Sequence, residues 1–197
     1  MTLDFWFDFS SPYAYLASTQ IDGIAARTHA TLRWRPMLLG AVFKAVGQDQ
    51  VPLLTASPAK QQYYVHDMAR WADWWGVPYS FPANFPIRSL LPLRTFLAES
   101  ALGQRDPLPF ARAVFRAAWA DGRDVTDPDV LRECGATDEA LAAAPDMKQS
   151  LIDHTNEAVA AGVFGAPTCI VGGQWLFWGQ DRLEMVEKCL NGWVPPG

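Results

Sequence analysis

The amino-acid sequence predicts an α/β protein whose strand-rich segments at the two ends enclose a long helical block. The first observation is an aromatic-rich apolar run at residues 3–9, which passes through a proline into a helical pattern and then a second strand. The second is a succession of Asp/Ser-Pro helix starts and glycine helix ends that continues to residue 161. The third is a pair of short β-rich runs, separated by two glycines, before a final helix.

The first segment, residues 4–16 (DFWFDFSSPYAYL), contains the turn around which we expect the chain to be organised. Residues 3–9 predict a buried strand. Pro12 fits the first position of a helix, because its missing N–H needs no partner there, so Ser10 or Ser11 is the predicted cap. A strand that passes into a helix in this way presents free N–H groups and a hydroxyl at one point, which suits an anion or a thiolate.

The helix that follows is predicted to run from Pro12 to near His29. A short strand, residues 31–35 (TLRWR), comes next and ends at Pro36. Strand, helix and strand in this order indicate a parallel β-α-β unit.

Helices are predicted to fill the middle of the chain. Their starting points are Ser57-Pro58, Pro92, Asp106-Pro107, Asp127-Pro128, Thr137 and about Asp146. The first of these helices carries Trp71, Trp74 and Trp75 at helical spacing, and we expect these rings in the core.

The end of the chain predicts a hairpin and a helix. Thr168–Val171 and Trp175–Trp178 are the two strands, Gly172-Gly173 is the turn, and Asp181 is the predicted cap of the last helix. The complete order is that of a thioredoxin-like fold with an all-helical domain inserted between an N-terminal βαβ unit and a C-terminal ββα unit.

The predicted domains follow from this order. Residues 1–37 and 163–197, with the helix from about residue 146, form the thioredoxin-like domain, and residues 38–145 form the inserted helical domain. Ala166-Pro167 enters the third strand, where thioredoxin folds hold a cis peptide bond beside the active site. The sequence alone does not decide whether this bond is cis, because most X-Pro bonds are trans.

Composition excludes several classes of function. The net charge of -5 and the absence of basic runs argue against nucleic acid or an anionic membrane as the main partner. The sequence contains no long apolar span, and its first residues do not resemble a signal peptide, so we expect a cytoplasmic protein. The three cysteines and three histidines are scattered, which favours neither a disulfide framework nor a metal site.

Several separate motifs, in the right order, resemble the kappa-class glutathione transferases. Within that class the chain is most similar to the 2-hydroxychromene-2-carboxylate isomerases of bacterial aromatic degradation, and the similarity covers nearly the whole chain. The motifs are FDFSSPYAYLAS, Lys44 followed by Gly47, PAKQQYY, FPANFPIR, FGAPT and FWGQDRL.

Ser11-Pro12-Tyr13-Ala14 stands where thiol oxidoreductases of this architecture, such as the DsbA type, carry Cys-x-x-Cys. Disulfide exchange is excluded because neither end of this tetrapeptide is a thiol. A free thiol has a pKa of about 8.5 and is mostly protonated at neutral pH. A hydroxyl and a helix N-terminus could lower the pKa of a bound thiol by about one to two units, so Ser11 would activate glutathione rather than act as the nucleophile.

The resemblance also implies the other site residues. Ala166, before Pro167, would pair its backbone with the cysteinyl part of glutathione, as a strand edge binds a peptide. The γ-glutamyl end of glutathione would be bound by Trp178, Gly179, Gln180 and Asp181.

On the substrate side the resemblance implies four residues. Lys44 would face a carboxylate, Asn84 and Phe85 would close the pocket, and Arg88 is a weaker candidate for binding an acid. Gln48 departs from the asparagine that many relatives have in this loop, so we assign no partner to the loop's polar contact.

Three functions remain open at this stage. The first is a glutathione-dependent isomerase of 2-hydroxychromene-2-carboxylate or a similar aromatic acid, acting by thiolate addition, bond rotation and elimination. The second is a kappa-class transferase or peroxidase that acts on electrophiles, and the third is a non-catalytic thioredoxin-like binding protein. The closer match of FPANFPIR and FWGQDRL favours the isomerase. The resemblance implies a homodimer, glutathione as the cofactor and no metal.

Overall fold

The computed structural model describes residues 1–196 and contains one mixed sheet of four strands. The strands are β1 (Thr2–Phe7), β2 (Thr31–Pro36), β3 (Thr168–Val171) and β4 (Trp175–Trp178), and their order across the sheet is β2-β1-β3-β4. Strand β1 is parallel to β2 and antiparallel to β3, and β3 is antiparallel to β4. The central strand β1 therefore joins the two ends of the chain, as the predicted order requires.

Helices lie before, between and after the strands. They are α1 (Pro12–Ser18), α2 (Ile21–Thr28), α3 (Leu39–Ala45), α4 (Pro52–Thr55), α5 (Pro58–Trp74), α6 (Leu90–Leu102), α7 (Leu108–Trp119), α8 (Pro128–Glu133), α9 (Asp138–Ala143), α10 (Lys148–Ala160) and α11 (Leu183–Leu190). Two 3₁₀ turns, Ala144–Met147 and Gln180–Arg182, come directly before α10 and α11.

The single helix predicted from Pro12 to His29 is two helices. The hydroxyls of Ser18 and Thr19 donate to the carbonyls of Tyr15 and Leu16 at 2.6 and 2.7 Å. These bonds satisfy the carbonyl groups at the end of α1 locally, so the chain can turn before α2 begins.

Helix α3 was not predicted, and its start explains why. Its cap residue, Leu38, makes no side-chain hydrogen bond to the helix. The first helical N–H, that of Leu39, instead donates to the carboxyl group of Asp8 at 2.7 Å, and Asp8 lies at the end of β1. A cap supplied by a distant part of the chain leaves no mark in the local sequence.

Two predictions at side chains are wrong. Asp181 does not cap the last helix: it lies within the Gln180–Arg182 turn and pairs with Arg182 at 2.5 Å. Trp74 is 80% exposed, whereas Trp71 and Trp75 are half-buried and pack with ring centroids 5.0 Å apart. Helical spacing alone did not distinguish the core-facing side of α5 from its outer side.

An aromatic cluster attaches the helical block to one face of the sheet. Phe7 on β1 contacts Phe96 of α6 and Phe115 of α7, with ring centroids 5.5 and 5.8 Å apart. Phe9 contacts the same Phe115 at 4.8 Å. Trp119 at the end of α7 is fully buried, and its indole N–H donates to the Phe9 carbonyl at 2.8 Å. These contacts fix the end of β1, where the predicted functional turn begins.

Candidate active site

Ser11 lies at the N-terminus of α1 and is the N-cap of that helix, as predicted. Its hydroxyl oxygen accepts the backbone N–H of Ala14 at 3.1 Å. The hydroxyl donates its proton to the backbone carbonyl of Ala166 at 2.9 Å. Ser11 is 4% exposed. In this state the hydroxyl is therefore both an acceptor for the helix and a donor to the start of β3.

The partner of Ser11 lies at a cis peptide bond. The bond between Ala166 and Pro167 is cis, which the sequence alone left open. The Pro167 carbonyl accepts the N–H of Gly179 at 3.0 Å, and the Thr168 hydroxyl donates to the carbonyl of Gly165 at 2.7 Å. The start of β3 is thus tied to the end of β4.

The segment from Trp178 to Asp181 continues from that junction. Trp178 is 52% exposed, and its ring packs against Phe164 with centroids 5.1 Å apart. Gly179 adopts φ +104°, and a Cβ there would meet Asp181 Oδ1 at 2.5 Å, so this position requires glycine. Gln180 is buried, Asp181 is exposed, and the turn that contains them packs against α1.

The predicted glutathione-binding residues therefore surround one place in the fold. Direct hydrogen bonds join Ser11 to Ala166, and Pro167 to Gly179. The exposed indole of Trp178 lies beside Gly165, because a Cβ at that position would stand 2.4 Å from Trp178 Nε1. This steric dependence on Gly165 was not part of the sequence prediction.

The four predicted substrate-side residues are less closely grouped. Lys44, in the last turn of α3, is exposed, as are Asn84 and Arg88, whereas Phe85 is half-buried. Hydrogen bonds from Thr126 lower the pKa of Asp124, and the positive charge of Arg88 adds to this effect. Arg88 is therefore close to a carboxylate of this chain.

Phe85 lines an open apolar cleft of about 640 Å³ between α4, the start of α5 and the segment 81–85. The other lining residues are Leu53, Leu54, Pro58, Gln61, Gln62, Val65, Phe81, Pro82 and Ala83. Its volume is in the range of small-molecule sites. Sequence reasoning missed the α4 wall because that helix has no side-chain cap.

A chain of contacts connects this cleft to the Ser11 turn. The Phe85 ring packs against Trp119 with centroids 6.4 Å apart, and Trp119 donates to the carbonyl of Phe9, two residues before Ser11. Tyr13, two residues after Ser11, donates its hydroxyl to Asp67 of α5 at 3.1 Å. Helix α5 is thus tied to both the cleft and the turn.

Burial raises the pKa of three titratable groups near the turn, those of Asp8, Tyr13 and Cys169. Desolvation raises the pKa of Asp8, with hydrogen bonds from Ser10, Ser89 and Leu39 opposing it. Desolvation and the nearby Asp67 raise the pKa of Tyr13, so its phenol stays protonated. Burial raises the pKa of Cys169 to about 12, which makes this thiol inert.

All three cysteines are free thiols. Within residues 1–196 no group of three or more His, Cys, Asp and Glu side chains is arranged to hold a metal ion. None of the helices in the same residues is long and apolar enough to cross a membrane.

Comparison with known proteins identifies the class. Residues 2–191 match the DSBA-like thioredoxin domain, and the chain belongs to that family. A cytosolic disulfide reductase DsbM from Pseudomonas aeruginosa, solved with GSH, shares the fold with a TM-score of 0.67 at 17% identity over 97% of this chain and 98% of that one.

Relatives with higher sequence identity indicate which members of this family the chain is similar to. The 2-hydroxychromene-2-carboxylate isomerase of Sphingobium xenophagum is 33% identical, with 96% of this chain and 97% of that protein covered. A solved 2-hydroxychromene-2-carboxylate isomerase superposes with a TM-score of 0.80 at 28% identity, covering 97% of this chain and 95% of that one. Glutathione S-transferase kappa 1 of Caenorhabditis elegans is 26% identical over 96% of this chain and 90% of that protein. The resemblance found in the motifs is confirmed, and so is the thioredoxin-like fold.

Proposed function

We propose that the protein is a glutathione-dependent isomerase that interconverts 2-hydroxychromene-2-carboxylate and trans-o-hydroxybenzylidenepyruvate, or a similar aromatic acid. One observation carries this proposal. The hydroxyl of Ser11, at the N-terminus of a helix, donates to the carbonyl that precedes a cis proline, in the place where thiol oxidoreductases hold a cysteine. Relatives named as this isomerase, at 30 to 33% identity over nearly the full chain, support it.

The first step is activation of the thiol of glutathione. The Ser11 hydroxyl has one proton, which it donates in a hydrogen bond to the Ala166 carbonyl. When glutathione binds, its cysteinyl N–H takes that carbonyl as acceptor, as in strand addition. The hydroxyl then turns its proton to the sulfur, and the N-terminus of α1 adds a favourable potential.

The remaining contacts hold the tripeptide. The backbone of Ala166 and Pro167 binds the cysteinyl part. Gly179, Gln180 and Asp181 bind the γ-glutamyl end, with the carboxylate of Asp181 facing its ammonium group, and the exposed indole of Trp178 covers the peptide. Asp181 already pairs with Arg182, so ligand binding exchanges one cation for another.

When bound, glutathione would supply a thiolate nucleophile for addition to the conjugated system of the substrate, for rotation about the resulting single bond and for elimination, so that it would not be consumed. The proposed role of the chain is to bind, orient and keep the sulfur ionised.

The substrate side has to bind an anionic, aromatic molecule. Phe85 and the apolar cleft offer contact for a ring, while the exposed cations Lys44 and Arg88 suit a carboxylate. Asn84 can donate or accept beside them.

The test is to follow the absorbance of a chromene carboxylate with glutathione present in catalytic amount. Conversion without loss of free thiol supports the isomerase. Stoichiometric loss of thiol refutes it in favour of the alternative, a kappa-class glutathione transferase or peroxidase acting on electrophiles. Two relatives named as kappa transferases, at 26% identity, favour that alternative. If calorimetry detects no binding of glutathione at millimolar concentration, both enzymes are refuted and a non-catalytic binding protein remains.

The proposal includes a homodimer, which the family resemblance implies, and a cytoplasmic location. Light scattering on the purified protein tests the first, because a dimer has twice the chain mass of 21.8 kDa. Fractionation of the source cells tests the second.

A further inference from the structure

Asp8 is a buried acidic residue for which the proposed mechanism has no chemical use. It follows the end of β1 and is 1% exposed. Removing a carboxyl group from water is unfavourable unless hydrogen bonds compensate for the lost hydration. A buried polar group of this kind fixes geometry more than it adds stability.

The contacts of Asp8 come from three separate segments. Oδ1 accepts the N–H of Ser10 at 2.8 Å, and Oδ2 accepts the N–H of Leu39 at 2.7 Å. The hydroxyl of Ser89 lies close enough to the carboxyl group to lower its pKa. All three groups are uncharged, so the arrangement is directional and depends on where each segment lies.

Each of these segments leads directly to a predicted part of the site. Ser10 is next to Ser11. Leu39 is the first residue of α3, which carries Lys44 in its last turn. Ser89 is the residue before α6 and follows the segment 84–88, which contains the other three substrate-side candidates.

We infer that Asp8 is a positioning residue, whose one carboxyl group sets the thiol-activating turn and both substrate-side segments relative to one another. The inference rests on the proposed function. It assigns to Asp8 no contact with glutathione, substrate or a reacting atom.

An amide cannot replace this carboxyl group. Whether ionised or protonated, Asp8 offers an acceptor on each of its two oxygens, so it serves Ser10 and Leu39 together. In Asp8→Asn one of these oxygens becomes an NH₂ group, which would face a backbone N–H. Either the turn or the start of α3 must then move.

Asp4→Asn is the matched control. Asp4 lies on the same strand and is 8% exposed, but its two oxygens pair with Arg33 at 2.6 and 2.7 Å, away from the turn. The Asp4→Asn change removes a buried carboxylate from β1 and leaves the contacts of Asp8 with Ser10, Leu39 and Ser89 intact. Ser89→Ala is a milder second variant, which removes the neighbouring hydroxyl and leaves the hydrogen bonds from Ser10 and Leu39 in place.

Steady-state kinetics and amide hydrogen exchange form the test. In Asp8→Asn we expect kcat to fall by about 10-fold or more and KM for the aromatic acid to rise by about 5-fold or more, since a shift of either segment changes its position relative to the other half of the site. In Ser89→Ala we expect only that KM to rise, by about 3-fold. At least one of the amides of Ser10 and Leu39 should exchange at least about 10-fold faster in Asp8→Asn than in the wild type, while Asp4→Asn changes neither the amides nor kcat.

The inference is overturned if the two amides keep their protection in Asp8→Asn, or if Asp4→Asn lowers kcat as much as Asp8→Asn. Failure of the proposed function has a different signature, because a wild type that binds glutathione but converts no acid refutes the isomerase alone. Amide exchange then decides the role of Asp8: faster exchange at Ser10 or Leu39 supports it, and unchanged exchange at both sites overturns it.

Discussion

Replacement of Gly165 by alanine gives a direct test of the proposed glutathione site. The φ of Gly165 is outside the left-handed region, so alanine causes no backbone strain, and its effect comes from the methyl group alone. A Cβ would lie 2.4 Å from Trp178 Nε1 and 3.2 Å from two other ring atoms, whereas ordinary contact begins near 3.4 Å. The indole must therefore move by about 1 Å or more.

The displacement should affect binding more than folding. Trp178 is 52% exposed and can move into solvent, so we expect Gly165→Ala to lower the free energy of unfolding by only about 1 kcal/mol. A shift of about 1 Å in a positioning group can cost about 100-fold in activity. We expect glutathione to bind about 10- to 100-fold more weakly in isothermal calorimetry.

Gly40→Ala is the control for a glycine-to-alanine change. Gly40 lies in α3, and no atom is within 4 Å of its Cβ position, so the dissociation constant for glutathione should not change. Trp178→Ala supplies a second comparison, because Gly165→Ala should cause no further loss once the indole is absent. The reasoning is refuted if Gly165→Ala binds glutathione within two-fold of the wild type, or if it weakens binding equally in the Trp178→Ala background.

Three further predictions follow from single side chains. Ser11→Ala should lower turnover by about 10-fold or more. It should also lower the free energy of unfolding by about 1 to 2 kcal/mol, since α1 loses its cap and the Ala166 carbonyl loses a donor. A turnover within two-fold of the wild type, measured with a chromene carboxylate, would contradict this prediction. In a Cys134→Ser, Cys189→Ser background, Cys169, with its pKa raised by burial to about 12, should not react with Ellman's reagent in the folded protein and should react after unfolding in urea. Rapid labelling of this folded variant would count against it. Burial raises the pKa of Glu99, but hydrogen bonds from Arg105 and Thr137 outweigh it and hold the pKa below its usual value. The stability that Glu99 contributes is therefore present above the pKa of the unfolded chain and is lost as the pH falls through the folded pKa. The urea midpoint of Glu99→Gln should fall less steeply with decreasing pH than that of the wild type. Identical dependence of the two midpoints on pH would disprove the assignment.

The features that the sequence predicted correctly are those with a local cause. Ser11, Asp127 and Thr137 were named as helix starts, and each accepts a backbone N–H of the helix that follows it. The hairpin at Gly172-Gly173 also depends on residues that are adjacent in sequence.

The errors come from contacts between distant residues. Helix α3 is capped by Asp8 from β1, which no local pattern could indicate. Trp74 shares its helix with Trp71 and Trp75, and only the packing of α5 decides which of these rings is exposed. Aspartate is a common helix cap, but Asp181 lies within a 3₁₀ turn and pairs with Arg182 instead.

The candidate site shows the same division between features with a local cause and features that depend on distant contacts. A missing cysteine at Ser11 and a proline at Pro167 are visible in the sequence, so the thiol half of the site could be proposed from two motifs. The hydrogen bond that joins Ser11 to the Ala166 carbonyl, the clearance at Gly165 and the carboxyl group of Asp8 depend on tertiary packing. The sequence offered one indication that Asp8 matters: it is an acidic residue in an apolar strand pattern, three residues before Ser11.

The central claim is that Ser11 holds a thiol that belongs to a bound molecule. The direct measurement is a titration of bound glutathione, following the ultraviolet absorbance of its thiolate, in the wild type and in Ser11→Ala. We predict that the thiol pKa is about one to two units below that of free glutathione in the wild type and returns close to the free value in Ser11→Ala. A wild-type complex in which the bound thiol titrates like free glutathione would contradict the account.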